Sequence, residues 1–287
     1  MIEKELILTG SDAELLSCAL AQVKTKFYEE SETRLDDTQA LDALVSCFRN
    51  AEKDMRIYYT KPPVLMFGFL FPLFMFLAFY LGRSADLHML FPGLAAMVVF
   101  FVASSVGPLI TPWEKRAGTY ERLLSFPVTV NTLILGDVVA GMLYGIIINV
   151  IILAAGTAAF GYAVNLAGVF MMAISLLLAA FCFSALGVLL ASPASTNPSN
   201  VMMLSSLVRF PLIFVSGIFV PIASLQGIAR IAVYCSPITY LVDGFDRALL
   251  GSAAIPLLLD WAALIGFSIV FVLFARTFHR RNLMKGL

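Results

Sequence analysis

Charge is what this chain has least of. Only 13% of its 287 residues are Asp, Glu, Lys or Arg, about half of the roughly 25% usual in soluble domains. There are two histidines, at 88 and 279, and four cysteines, at 18, 47, 182 and 235. With no C-x-x-C pair and two distant histidines, the chain offers neither a metal-ligand cluster nor a disulfide framework. No GxxxxGKS/T phosphate loop occurs, so nucleotide is not held in that manner. The N-terminus has no short apolar core with a cleavage site, and no signal peptide is predicted. The grouped nucleophiles, histidines or carboxylates of an embedded enzyme are also missing.

What is present is apolar. Hydrophobic residues make up 60% of the chain, the mean hydropathy is +0.90, and there are 24 Phe and 9 Tyr. Continuous oily runs near twenty residues match a hydrocarbon core about 30 Å thick crossed by helices rising about 1.5 Å per residue. Continuous rather than alternating runs argue against a transmembrane barrel. The expectation is an all-α, polytopic membrane protein. Six spans are predicted, at 64–82, 89–110, 129–160, 166–191, 200–220 and 255–275. The third exceeds one bilayer crossing, so its first turns are expected at the interface.

The net charge of zero conceals a division. Residues 1–61 hold 12 acidic and 8 basic residues, and residues 62–287 hold 7 and 11. Residues 1–35 form a polar extension without an assigned job. From 37 to 59, Leu41, Leu44, Val45 and Phe48 recur at helical spacing, while Arg49, Lys53 and Arg56 share the rest of the surface with Glu52 and Asp54. Such a stretch, placed at 36–61, suits an amphipathic helix on the membrane surface, and equally a solvated helix packed on a partner. Pro62 and Pro63 then open the membrane domain, residues 62–287. Lysine and arginine concentrate in the N-terminal arm, in the second-to-third loop and in the tail at Arg276, Arg280, Arg281 and Lys285. By the positive-inside rule both termini are cytoplasmic.

The densest charge between spans lies in TPWEKRAGTYERLLSFP, residues 111–127. Gly118 suits a helix end, because it tolerates the left-handed conformation. Thr119 is a good N-cap for a short helix over 120–125, with Glu121 in its first turn. A loop that merely fixes topology would need the positive charges, but neither the two glutamates nor the Gly-Thr pair.

EKRAGTYERLLSFP, residues 114–127, resembles the signature of the type-2 permeases of ATP-binding-cassette (ABC) exporters. SGIFVP at 216–221, SPITYLVDGFDRALLG at 236–251 and, more weakly, PPVLMFGFLFPLF at 62–74 resemble further segments in that family's order. The likeness spans roughly residues 40–287 and leans toward the drug-resistance and nodulation-factor branches. It implies one half of a permease dimer, most simply two identical copies, in the cytoplasmic membrane, with two separate ATPase subunits below. The chain itself would bind no cofactor; ATP and Mg would sit on the ATPases, and no nucleic acid is involved. Residues 113–127 would be the coupling helix. Glu114, Lys115, Arg116, Glu121 and Arg122 would make its charged contacts, Leu123 and Leu124 its packing, with Gly118, Thr119 and Pro127 shaping it. The 36–61 helix would lie along the membrane against the same ATPase. A pair of re-entrant helices before the last span, within 218–224 and 228–234, would shape the outer gate in an outer re-entrant segment that includes Pro221, Pro237, Tyr240 and Asp243, with Pro221 and Pro237 preventing a continuous span. Cargo would be amphipathic or hydrophobic: a drug-like molecule, a lipid or a glycolipid.

Among the charged residues inside predicted spans, Arg209 and Asp137 stand out. Arg209 lies near a midplane, where arginine costs about 2.5–3.5 kcal/mol on insertion scales. It is expected either to line the pathway or to pair with Asp137 or with carbonyls freed near Pro211. Asp137 lies a few turns into the third span, among Gly136, Gly141 and Gly145, whose spacing suits close helix packing. An alternative function, a secondary transporter working through Arg209 and Asp137, would usually show related inverted halves, and no such repeat is visible.

Overall fold

The computed structural model describes residues 37–57, 66, 70–82, 87–105, 107–116, 130–192, 197–218 and 227–285. Among these, ten helices and no strands are present: α1 Asp37–Ile57, α2 Phe71–Gly82, α3 Leu87–Ser105, α4 Gly107–Arg116, α5 Val130–Phe160, α6 Leu166–Leu190, α7 Pro198–Val215, α8 Ile228–Tyr234, α9 Pro237–Leu250 and α10 Leu257–Lys285. Four helical stretches are long and apolar enough to cross a membrane: Leu87–Ser105, Asn131–Phe160, Leu166–Leu190 and Leu257–His279. A shorter apolar helix covers Ser199–Val215. Of the predicted first span, the described helix is the twelve-residue α2. The last helix outruns its predicted end at 275, because Thr277 to Lys285 are good enough helix formers to continue it beyond the apolar stretch.

The core forms around α6, which packs against α3, α4, α5, α7, α9 and α10. Phe100, Phe101, Phe183 and Phe245 are essentially inaccessible. Phe100 meets Phe183 edge-on with centroids 5.1 Å apart, a preferred arrangement of aromatic quadrupoles. Small residues bring the backbones together. A Cβ on Gly107 would stand 2.5 Å from the Gly187 carbonyl carbon, and one on Gly141 would stand 2.1 Å from Ser184 Oγ. Either would force the helices apart. Polar side chains then bridge the gaps: Asn149 Nδ2 donates to Ala95 O at 2.7 Å and Ser184 Oγ to Val138 O at 2.7 Å.

The outer surface is oily where lipid would meet it. Only 17% of the apolar window of α10 is buried, against 72% for α3. Leu258, Ile269, Leu273 and Phe274 of α10 are exposed, as are Met203, Leu207 and Phe214 of α7. An apolar band over long helices defines a multi-pass membrane protein.

The connection before the last span contains an element that sequence patterning does not single out. Helix α9 is amphipathic and buries Ile238, Leu241, Val242 and Phe245 against α3 and α6. Pro237 occupies its first turn, where a missing N–H costs nothing. Gly251 ends it at φ 69° in the left-handed region. Of the two short segments expected to be re-entrant, 228–234 is helical as α8, whereas 219–224, with Pro221, lies outside the described residues.

Candidate functional site

Helix α1 turns an unexpected face to the protein. Val45 and Phe48, part of the apolar stripe, are 44% and 59% exposed, while Cys47, Asn50, Ala51 and Asp54 are buried. The buried set recurs at i, i+3, i+4 and i+7, one side of a helix. Its small residues allow close approach: a Cβ on Gly136 would sit 2.8 Å from Asn50 Nδ2. The stripe is thus left free for an apolar surround.

Three elements meet on that buried face. Asn50 Nδ2 donates to Asp137 Oδ1 of α5 at 2.9 Å. Lys53 Nζ donates to Glu114 Oε1 of α4 at 2.5 Å and lies 3.2 Å from Asp54 Oδ1. Ala51, Ile110 and Ala140 close the contact with apolar packing. One lysine between two carboxylates is short of full compensation. Burial pushes the Asp54 carboxyl up to about 6, against the opposing pull of the Lys53 ammonium. Burial also opposes the Lys53 charge, but Asp54 and Glu114 outweigh it and hold the ammonium above its ordinary range.

Glu114 is 6% exposed and is therefore fixed within the molecule. Lys115 and Arg116 end α4. Gly118, Thr119, Glu121, Arg122, Leu123, Leu124 and Pro127 lie outside the described residues. Sequence reasoning assigned Asn50, Lys53 and Asp54 no such contacts. Their signal was the small-and-polar stripe opposite Val45 and Phe48.

Arg209 and Asp137 do not meet. Asp137 is held by Asn50. The Arg209 guanidinium, 2% exposed, turns instead to the end of α3, with Nη2 2.9 Å from Ser104 O and Nη1 3.4 Å from Ser105 Oγ. The carbonyl it serves belongs to α3, not to the turn freed by Pro211.

At the opposite end of the helices, Asp243 accepts from the backbone N–H of Ala254 at 2.6 Å and of Ile255 at 3.3 Å. Arg247 stands 3.6 Å from the same carboxylate and donates to Ile255 O. Tyr240 Oη donates to Tyr234 O at 2.8 Å, tying α9 to α8. Asp260 is buried in the first turn of α10, within electrostatic reach of Asp243 and Arg247. This is a staple across the 251–256 turn.

An apolar helical body thus carries a charged joint at one end and a stapled turn at the other. The family model for the ABC-2 type transporter membrane domain matches residues 46–250. The chain belongs to that family, and is a type-2 ABC permease, a transport subunit rather than an enzyme. It is also 26% identical over 207 residues to the inner membrane transport permease YadH of Escherichia coli strain K12, covering 70% of this chain and 80% of that protein. The YadH proteins of Escherichia coli O157:H7 and of Shigella flexneri match to the same extent.

Proposed function

We propose that the chain is the permease half of an ATP-driven exporter in a cytoplasmic (inner) membrane, pairing with a second copy and working with two separate ATPase subunits. Residues 113–127 form the coupling helix that enters an ATPase cleft. The carrying observation is the Lys53–Glu114 contact. It fastens the surface helix to α4, the segment that leads directly into residues 117–127, while Asn50 fastens the same helix to the third span at Asp137. A push on the loop is thereby delivered to two spans and the surface helix together, and rigid-body movement of packed helices is a known route to switching. Six spans, cytoplasmic termini and a re-entrant outer gate complete the reading, as does an amphipathic or hydrophobic cargo. The exposed stripe of α1 and the YadH relationship support the membrane placement.

The test is co-purification of the full chain with an ATPase, followed by ATP hydrolysis and transport in vesicles. Glu121→Ala and Arg122→Ala should each lower transport by about tenfold or more, the scale of a lost charge-assisted contact, with membrane insertion unchanged. Normal transport in both variants would count against the proposal.

A further inference from the structure

Arg209 is an expensive residue in its position, and Pro108 supplies the reason for it. In an α-helix the carbonyl of residue 104 accepts the N–H of residue 108. Proline has no N–H, so the Ser104 carbonyl lacks its i+4 donor. A buried carbonyl among apolar helices needs a donor, because no water replaces it there. Arg209 Nη2 stands 2.9 Å from that oxygen. Among the described residues the guanidinium makes no ion pair, and its Nε has no hydrogen-bond partner.

We infer that Arg209 substitutes for the amide that Pro108 lacks, clasping α7 to the junction between α3 and α4. The surroundings agree with a joint. Helix α3 ends at Ser105 and α4 begins at Gly107. A Cβ on Gly107 would strike the Gly187 backbone, and one on Gly187 would stand 2.7 Å from the Ser104 carbonyl oxygen. Helix α4 packs along both α7 and α6, and α3 is sunk in the core against α5, α6 and α9. The clasp ties α7 to the last turn of α3, next to the start of α4. Arg209 is a positioning residue that serves the backbone, and cargo is not its ligand. This inference does not depend on an ATPase partner.

Hydrogen exchange of the purified full chain in lipid nanodiscs tests it, using Arg209→Met, Pro108→Ala and the double variant. Arg209→Met should speed exchange of the 107–116 amides on the order of tenfold to a hundredfold, the loss of one charge-assisted hydrogen bond. In the Pro108→Ala background the Ser104 carbonyl regains its helical donor. There the same arginine change should speed exchange by less than about threefold, since the two sites are coupled rather than additive. Equal acceleration in both backgrounds, or none in either, overturns the clasp. If Arg209→Met fails to accumulate, accumulation of the double variant at the Pro108→Ala level supports the clasp, and its failure refutes it.

Discussion

The two ends of the molecule both bury carboxylates, but they use them differently. At one end, Lys53, Asp54, Asn50, Glu114 and Asp137 come from α1, α4 and α5, far apart in the sequence. At the other, Asp243, Arg247, Ala254 and Ile255 lie within thirteen positions and close a single turn. The first arrangement has more negative charge than positive and reaches across elements. The second gives Asp243 two backbone amides and an arginine within one turn, with Asp260 buried beside them. A local staple that closes one turn holds one shape, whereas a charged contact between distant elements can be shifted by a new positive charge or by a proton. The comparison places the adjustable part of this permease at the α1 joint.

The largest expected effect is at that joint. Lys53→Met strands Asp54 and Glu114 without their shared cation. Breaking a buried pair costs about 3–5 kcal/mol; because the Lys53 side chain keeps 29% exposure, about 2–3 kcal/mol is expected here after solvent screening. Exchange of the 45–57 amides should rise accordingly, with the 237–256 region unaffected. Simultaneous loosening of both ends would erase the distinction between them. Asp243→Ala should cost about 2 kcal/mol, since it leaves the loop amides without acceptors. Its signature is proteolytic sensitivity confined to the 251–256 turn, with α1 still docked.

The smallest effect is a pH dependence. The folded Asp54 pKa, about 6, lies above its ordinary value of 3.8, so the docked helix binds the proton more tightly than the released one. Docking of α1 therefore strengthens as pH falls from 7 toward 4 and weakens as pH rises through about 6. Asp54→Asn should flatten the pH profile of 45–57 exchange. An unchanged profile in that variant would assign the effect elsewhere.

The long apolar runs made most of the helices legible, because hydrocarbon thickness imposes length on the sequence. The family resemblance was equally visible in EKRAGTYERLLSFP. The α1 joint was not, since hydrophobic periodicity points to Val45 and Phe48, and in this molecule those residues face outward. The inward stripe of Cys47, Asn50, Ala51 and Asp54 is small and polar, and it reads as a docking face only once its partners Gly136, Asp137 and Glu114 are known. Helix α9 was obscured for a related reason: Gly244 interrupts its apolar period, and Pro237 and Gly251 mark its two ends. Arg209 was conspicuous, yet its partner was hidden, because a proline-orphaned carbonyl leaves no charge pattern in the sequence.

The most direct measurement is a charge swap across the joint, read as ATP hydrolysis by the complex of the full chain with its co-purifying ATPase. Lys53→Glu should reduce hydrolysis by about tenfold, the scale of a lost charge-assisted bond, and Lys53→Glu with Glu114→Lys should restore most of it. Normal hydrolysis in the single variant, or no recovery in the double, would contradict a joint that carries movement between α1 and α4.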